Sequence, residues 1–229
     1  MEITYNFFKT GSIMITLHHL NQSRSFRILW LLEEIKEPYQ LKCYYRDSTT
    51  HLAPESLKNI HPLGKSPVIE WQGKVIAESG AIVELLIQKL APHLAPDIND
   101  TAYTDYLQWI HFAESSAMVP FLLKMFNAIE MKHGTKLAFL EDYAQVEFDK
   151  VFGFLNDYLK NKKFLVGDRL TGADFMMGFG LHGLVHNMGQ GEHYPHIQSY
   201  VEHLALLPSW KAAEKIEKDS LILILRDKK

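Results

Sequence analysis

A short polar loop between a strand-like run and a helical run is the first place where side chains could do chemistry. The run "IMITLHHL" ends just after His18 and His19, and the loop that follows places Ser23 and Ser25 on either side of Arg24. A serine before a helix usually accepts a hydrogen bond from a free N–H group of the first turn, and Ser23 fits such an N-cap. A hydroxyl at this point can also donate a hydrogen bond to a bound group. The pattern leaves both roles open.

A second polar pair, Glu78 and Ser79, opens the helical run "SGAIVELLIQKL". The free N–H groups and the dipole of a helix N-terminus favour an anion, to which Ser79 could add its hydroxyl. Glu78 could accept a hydrogen bond from an ammonium group, so the pair could recognise both charges of an amino-acid head group. An ordinary N-cap is the commoner explanation of an isolated pair of this kind.

The dipeptide Ser66-Pro67 stands directly before the strand-like "VIEW". Proline has no N–H group and is unusual at the start of a strand inside a sheet. A cis peptide bond here would turn the chain so that the backbone N–H and C=O of Ser66 face a ligand, and the position before a hairpin favours that isomer.

Composition excludes several classes of function. The 229 residues are 47% hydrophobic and 22% charged, with a net charge of −3, which is ordinary for a globular protein and gives no basis for a nucleic-acid surface. No run approaches the ~18 apolar residues of a membrane span, and no signal-peptide pattern is present. The single cysteine, Cys43, cannot form an intramolecular disulfide. We therefore expect a cytoplasmic protein.

The order of the predicted elements divides the chain in two. Residues 14–90 read as strand, helix, strand, helix, strand, strand, helix, with a hairpin at Gln72-Gly73. Residues 91–100 contain two prolines and read as a linker. Residues 101–229 are helical in pattern, although the tail "SLILILRDKK" is more typical of a strand. Residues 1–13 are set aside, either because Met14 is an alternative start or because they form an appended arm.

Within the helical half, the pattern over 101–129 predicts one long helix bent at Pro120. A second helix is expected over about 135–160. Thr171 and Asp174 form the Thr-x-x-Asp pattern of a capping box, which predicts the start of a third, buried helix.

The chain has twelve histidines, and His182 and His186 are spaced i, i+4, with His193 and His196 following. No glutamate stands beside His182 to complete a metalloprotease motif, and there is no cysteine partner. We therefore expect no metal site.

Taken together, these motifs resemble the cytosolic glutathione S-transferases, in a bacterial-type, serine-class, theta-like form. The resemblance covers residues 14 to about 215 and is carried, in the family's order, by "SRSFRILWLLEE", "HPLGKSPVIEWQGKVIAESGAIVELL" and "FLVGDRLTGADFMM". It implies an α/β thioredoxin-like N-terminal domain over 14–90 that binds glutathione, a linker over 91–100, and an all-α helical C-terminal domain over 101–229 that forms the co-substrate pocket.

The resemblance also implies roles for individual residues. Glu78 and Ser79 match the pair that holds the γ-glutamyl head of glutathione. Ser66 and Pro67 match the cis-proline step whose backbone pairs with the cysteinyl part, and Lys65 matches a basic residue that can face the glycine carboxylate. Glutathione is then a co-substrate, and no tightly bound cofactor is expected.

The serine loop matches the place where this family keeps the group that faces the sulfur, which is a tyrosine, a serine or a cysteine. No tyrosine ends the first strand, and Cys43 lies outside the loop. Serine remains, with Ser23 as the first choice and Ser25 as the alternative. A serine hydroxyl can stabilise the thiolate by a charge-assisted hydrogen bond.

The resemblance further implies hydrophobic electrophiles or organic hydroperoxides as co-substrates, and a homodimer. Tyr106, Trp109 and Phe112 on the long helix are candidates for the pocket, although most of an aromatic stripe at helical spacing is core or interface. The alternative is a protein of the same fold that binds without catalysing, as a stress-linked interaction module.

Overall fold

A computed structural model gives the structure of the chain, and it describes residues 3–6, 14–47, 50–132, 134 and 137–227. The described chain forms two units, one of the residues up to Pro92 together with those from Leu206 onward, the other of His93–Ala205. None of the helices described is long and apolar enough to cross a membrane.

The first unit is built on a five-stranded mixed sheet with strand order β1-β3-β2-β4-β5. Strands β2 and β3 are parallel, and the other neighbouring pairs are antiparallel. The strands are β1 (Ile3–Asn6), β2 (Ile15–Leu20), β3 (Tyr39–Tyr44), β4 (Val68–Trp71) and β5 (Lys74–Ala77).

Three α-helices belong to this unit: α1 (Phe26–Ile35), α2 (Ser79–Leu90) and α8 (Pro208–Asp227). Residues Phe26–Leu32 of α1 are buried without a break, since this helix packs against the strand β2 and against both other helices. A helix segment that is buried all round is expected where neighbours cover every face. The start of α1, next to the serine loop, is therefore fixed on all sides.

The second unit contains α3 (Ala102–Phe112), α4 (Met118–Lys132), α5 (Ala138–Tyr158), α6 (Gly172–His182) and α7 (Pro195–Ala205). The predicted capping box at the start of α6 is confirmed. The buried carboxylate of Asp174 accepts hydrogen bonds from the N–H groups of Leu165 (2.9 Å) and Thr171 (2.8 Å), and from the hydroxyls of Thr171 (3.1 Å) and Tyr200 (2.8 Å). Burial raises the pKa of this carboxyl to about 6.

The predicted fold class is confirmed: an α/β thioredoxin-like domain precedes helices. The hairpin between β4 and β5 turns at Gln72-Gly73, as predicted. Both residues have the positive φ (51° and 74°) that a two-residue hairpin turn requires. The Ser66–Pro67 peptide bond is cis, as expected.

Two predictions for the chain ends were wrong. Ile3–Asn6 is not an appended arm but the strand β1, which pairs antiparallel with β3, and the rest of residues 1–13 lies outside the described residues. The tail is helical to Asp227. Isoleucine disfavours a helix by less than about 1 kcal/mol, which is too little to end a helix already begun at Pro208.

The long helical stretch predicted over 101–129 is interrupted by a π-helical turn over Ala113–Ala117, which ends three residues before Pro120. Proline has no N–H group to donate to the preceding turn, and a π-helical turn at this place is a usual consequence of such an interruption.

The two units do not coincide with the predicted 14–90 and 101–229, and the predicted linker 91–100 is divided between them. Helix α8 belongs with the α/β unit, because its first turns pack on α1. The Trp210 ring lies 4.9 Å from that of Phe26 and 4.8 Å from that of Trp30, and Trp30 Nε1 donates to Ser209 Oγ (3.0 Å).

Candidate functional site

Ser25 is the structural serine of the loop. Its side chain is 0% exposed, and Oγ lies 2.8 Å from Nδ1 of His19, 3.0 Å from the carbonyl oxygen of Leu20 and 3.2 Å from the backbone nitrogen of Leu20. Its carbonyl oxygen accepts from the N–H groups of Ile28 and Leu29 at the start of α1. Ser25 thus joins the end of β2 to the first turn of the helix.

Ser23 lies at the surface side of this network and is 8% exposed. Its Oγ accepts from the N–H group of Ser25 (3.2 Å) and lies 2.9 Å from Ser25 Oγ. The predicted N-cap role of Ser23 was wrong, because the N-cap position is Ser25 and α1 begins at Phe26. The single proton of the Ser23 hydroxyl can point to Ser25 Oγ or, after rotation of the O–H bond, to another acceptor.

His19, on the buried side of the loop, is neutral in the folded protein. Burial lowers its pKa to about 4, against a smaller opposite effect of its hydrogen bond with Ser25. Its Nε2 atom lies 3.8 Å from Oε1 of Glu217, which comes from α8. His18, the next residue back, points to the other face of the strand and hydrogen-bonds Tyr44 and Glu70.

Ser66 hydrogen-bonds to the end of β2, directly before the serine loop. Its hydroxyl donates to the carbonyl oxygen of His18 (2.8 Å) and accepts from the N–H group of Leu20 (3.2 Å), which the Ser25 hydroxyl also contacts. Pro67 is buried beside it, and Lys65 is exposed. Hydrogen bonds therefore connect the cis-proline step directly to the end of β2.

Ser79 is joined to the same region by a residue that the sequence analysis missed. Arg27, in the first turn of α1, is 0% exposed, and its Nη1 donates to Ser79 Oγ at 3.0 Å. Ser79 is buried at the start of α2, and the exposed Glu78 before it has a φ of 71°. An arginine inside the apolar run "FRILWLL" is the signal that could have identified Arg27, because a fully buried charge needs polar partners.

Cys43 is not a nucleophile. Its side chain is buried on β3, and burial raises the pKa of the thiol to about 11, so that the thiol is protonated at neutral pH.

The three aromatic candidates for the pocket lie on α3 in the second unit. Tyr106 and Trp109 are buried, and Phe112 is half-buried. The Trp109 ring lies 5.1 Å from that of Phe112 and 4.5 Å from that of Tyr158, as in an aromatic core.

The described part of the chain holds no group of three or more histidine, cysteine or acidic side chains that could bind a metal ion. His182 and His186 pack against each other, with ring centroids 4.4 Å apart.

Comparison with known proteins agrees with this geometry over both units. Residues 12–88 match the family model "Glutathione S-transferase, N-terminal domain", and residues 113–208 match "Glutathione S-transferase, C-terminal domain". Glutathione S-transferase 3 of Schizosaccharomyces pombe is 32% identical, with the match covering 92% of this chain and 91% of that protein.

A crystal structure of a glutathione S-transferase from Actinobacillus pleuropneumoniae is 34% identical and superposes with a TM-score of 0.80, covering 90% of this chain and 93% of the other. Human elongation factor 1-gamma is 31% identical over 132 residues, which are 57% of this chain but 29% of that protein. Sequence and fold agree, and the chain belongs to the glutathione S-transferase family of enzymes.

Proposed function

We propose that this enzyme uses the Ser23 hydroxyl to stabilise the thiolate of glutathione and transfers that thiolate to hydrophobic electrophiles. The observation that carries the proposal is the different setting of the two loop serines. Ser25 is fully buried among backbone and imidazole partners, whereas Ser23 is 8% exposed, accepts the N–H group of Ser25 and has Ser25 Oγ at 2.9 Å, from which its O–H would turn to a bound sulfur.

The Ser23 hydroxyl and the start of α1 can together supply the free energy needed to lower the pKa of the glutathione thiol. A free thiol has a pKa near 8.5, so only a few per cent is thiolate at neutral pH, and lowering that pKa by two units takes about 2.7 kcal/mol. A hydrogen bond to a charged group contributes about 1.5–3 kcal/mol, and a nearby helix N-terminus adds roughly 0.3–1 kcal/mol. The start of α1, three residues after Ser23, supplies that helix terminus.

The glutathione-binding residues proposed are Glu78 and Ser79 for the γ-glutamyl head, Ser66 and Pro67 for the cysteinyl part, and Lys65 for the glycine carboxylate. The hydrogen bond from Arg27 to Ser79 supports this assignment. Since Ser79 Oγ accepts from the guanidinium group, its O–H is left to donate to a carboxylate, and the buried positive charge of Arg27 favours the same anion.

In the transfer itself, the sulfur forms a bond to the electrophilic carbon as the leaving group departs. With an organic hydroperoxide, two glutathione molecules would instead be oxidised to the disulfide as the peroxide is reduced to alcohol and water. The lining of the co-substrate pocket by Tyr106, Trp109 and Phe112 stays a prediction, and Phe112 is the one of these with substantial exposed surface.

A homodimer is part of the proposal. Helices α4 and α5 carry large apolar side chains that are at least half exposed: Phe126 (55%), Phe139 (83%), Tyr143 (50%) and Val146 (51%). The rings of Phe139 and Tyr143 stack with their centroids 6.3 Å apart, and exposed apolar side chains of this size favour burial against a second copy. Sedimentation equilibrium of the F139E/Y143E variant should give a monomer where the wild type gives a dimer.

The alternative is a glutathione-binding or stress-interaction module without catalysis. The similarity to elongation factor 1-gamma over part of the chain is the observation that favours it. The reduced, buried Cys43 supports a cytoplasmic location for either function.

A conjugation assay separates the two functions. Wild type and Ser23→Ala would be given glutathione and a nitro-substituted aryl halide, and product formation would be followed by absorbance. We expect turnover by the wild type, and a loss of about 10- to 150-fold in kcat/KM in the variant, as for the removal of a charge-assisted hydrogen bond worth about 1.5–3 kcal/mol. Binding of glutathione without turnover of aryl halides or hydroperoxides would favour the alternative.

A further inference from the structure

Gln22, the residue directly before Ser23, has both backbone groups held by charged side chains. Its N–H group donates to Oε1 of Glu217 at 2.6 Å, and its carbonyl oxygen accepts from Nη2 of Arg46 at 3.3 Å. Its φ of +50° lies in the left-handed region, which costs a residue other than glycine about 1 kcal/mol or more. These long-range contacts, rather than a local preference, stabilise the turn that leads into Ser23.

Glu217 reaches this loop from α8, 195 residues further along the chain. The helix is anchored independently of the loop: Trp210 packs on α1, and the carbonyl oxygen of the buried Ser220 accepts from the hydroxyl of Tyr45 at 3.1 Å. The Glu217 side chain is only 14% exposed. Burial raises the pKa of its carboxyl, while the hydrogen bond from Gln22 acts in the opposite direction.

The geometry points to Glu217 as a positioning residue for catalysis: its carboxylate fixes the backbone of Gln22 and thereby aims the Ser23 hydroxyl at the sulfur of glutathione. This inference rests on the proposed role of Ser23. Through this contact α8, whose sequence contains no catalytic motif, helps to hold the loop that carries Ser23.

The hydrogen bond from Gln22 to Glu217 and the negative charge of Glu217 have opposite effects on the pKa of a bound thiol. Two variants of Glu217 can therefore separate these effects. The hydrogen bond to Gln22 holds the Ser23 donor in place and so favours the thiolate. The negative charge, if it acted on the sulfur, would disfavour the thiolate. Glu217→Gln keeps an acceptor oxygen and removes the charge. Glu217→Met keeps a similar length and apolar stem but removes the acceptor.

The experiment is a titration of the glutathione thiol in the binary complex of each variant, followed by the ultraviolet absorbance of the thiolate, with Kd and kcat measured alongside. In Glu217→Gln we expect a bound-thiol pKa at or below that of the wild type. In Glu217→Met we expect a pKa higher by about one unit and kcat lower by roughly tenfold, with Kd changed less than about twofold when it is measured at a pH where the bound thiol is protonated. Glu214→Met is the control, because Glu214 is 42% exposed and pairs with Lys218 on the same helix, and it should leave all three quantities unchanged.

Amide hydrogen exchange of Gln22 in the wild type tests the contact without a substitution, and so decides the matter even if Glu217→Met does not fold. Slow exchange supports the inference, whereas exchange at the rate of an unprotected loop amide overturns it. A wild-type thiol pKa in both Glu217 variants also overturns it. A wild-type complex that does not lower the thiol pKa at all would instead overturn the proposed role of Ser23.

Discussion

Ser23 Oγ lies 2.9 Å from Ser25 Oγ, although the two hydroxyls have different surroundings. The Ser25 hydroxyl contacts Nδ1 of His19 at 2.8 Å and both backbone polar groups of Leu20, all of them buried. The Ser23 hydroxyl oxygen accepts a hydrogen bond from the N–H group of Ser25, and the Ser23 side chain is 8% exposed. Ser25 therefore holds the loop together, and Ser23 is the one of the two with exposed surface.

Ser25→Ala should reduce stability more than Ser23→Ala. Removing the Ser25 hydroxyl leaves the N–H group of Leu20 and Nδ1 of His19 with one buried partner fewer, at a cost of about 1–3 kcal/mol. Urea unfolding of both variants measures the difference. Equal stability of the two variants would contradict the division of roles between the serines.

Ser79→Ala should weaken glutathione binding without changing the ionisation of the bound thiol. The variant loses the hydroxyl that faces Arg27 and, in the proposal, the carboxylate of the γ-glutamyl head. We expect Kd to rise by about tenfold, which corresponds to about 1.4 kcal/mol, with the thiol pKa in the complex unchanged. A thiol pKa shifted as far as in Ser23→Ala would show that Ser79 acts on the sulfur instead.

His19 should make the fold sensitive to acid. Its pKa is about 4 in the folded protein and near 6.5 when unfolded, so the unfolded state takes up the proton first as the pH falls. Its contribution to stability is complete above about pH 6.5 and is lost as the pH falls towards 4, by about 3 kcal/mol in total. Urea unfolding at several pH values should show this loss in the wild type and not in His19→Gln. Parallel pH profiles of the two proteins would argue against a neutral, buried His19.

Asp174→Asn should destabilise the second unit. An amide can replace only one carboxylate oxygen as an acceptor, so at least one of the N–H donors from Leu165 and Thr171 would meet an NH₂ group. We expect a loss of about 2–4 kcal/mol in the free energy of unfolding. Asp168→Asn, at an exposed position nearby, is the matched control and should be close to neutral. An unchanged free energy of unfolding in Asp174→Asn would mean that the four hydrogen bonds to the carboxylate are not needed for stability.

Features set by neighbouring residues were predictable from the sequence. The hairpin follows from two residues able to take positive φ, and the start of α6 follows from a capping box that spans four residues. The serine loop was found because a strand and a helix with clear patterns flank it.

Features set by distant partners were not predictable. Arg27 is separated by 52 residues from Ser79, and Glu217 by 195 from Gln22, and local periodicity carries no information on such pairs. The packing of α8 against α1 is likewise a contact between distant parts of the chain. The role of α8 beside the serine loop therefore became visible only in the folded chain.

The most direct test of the thiolate claim is calorimetric titration of glutathione into the wild type and Ser23→Ala near neutral pH, in two buffers of different ionisation heat. If Ser23 stabilises the thiolate, the wild type will release a proton on binding, and the variant will bind glutathione with little or no release. Equal proton release by both proteins, or binding by the wild type without any release, would contradict the account.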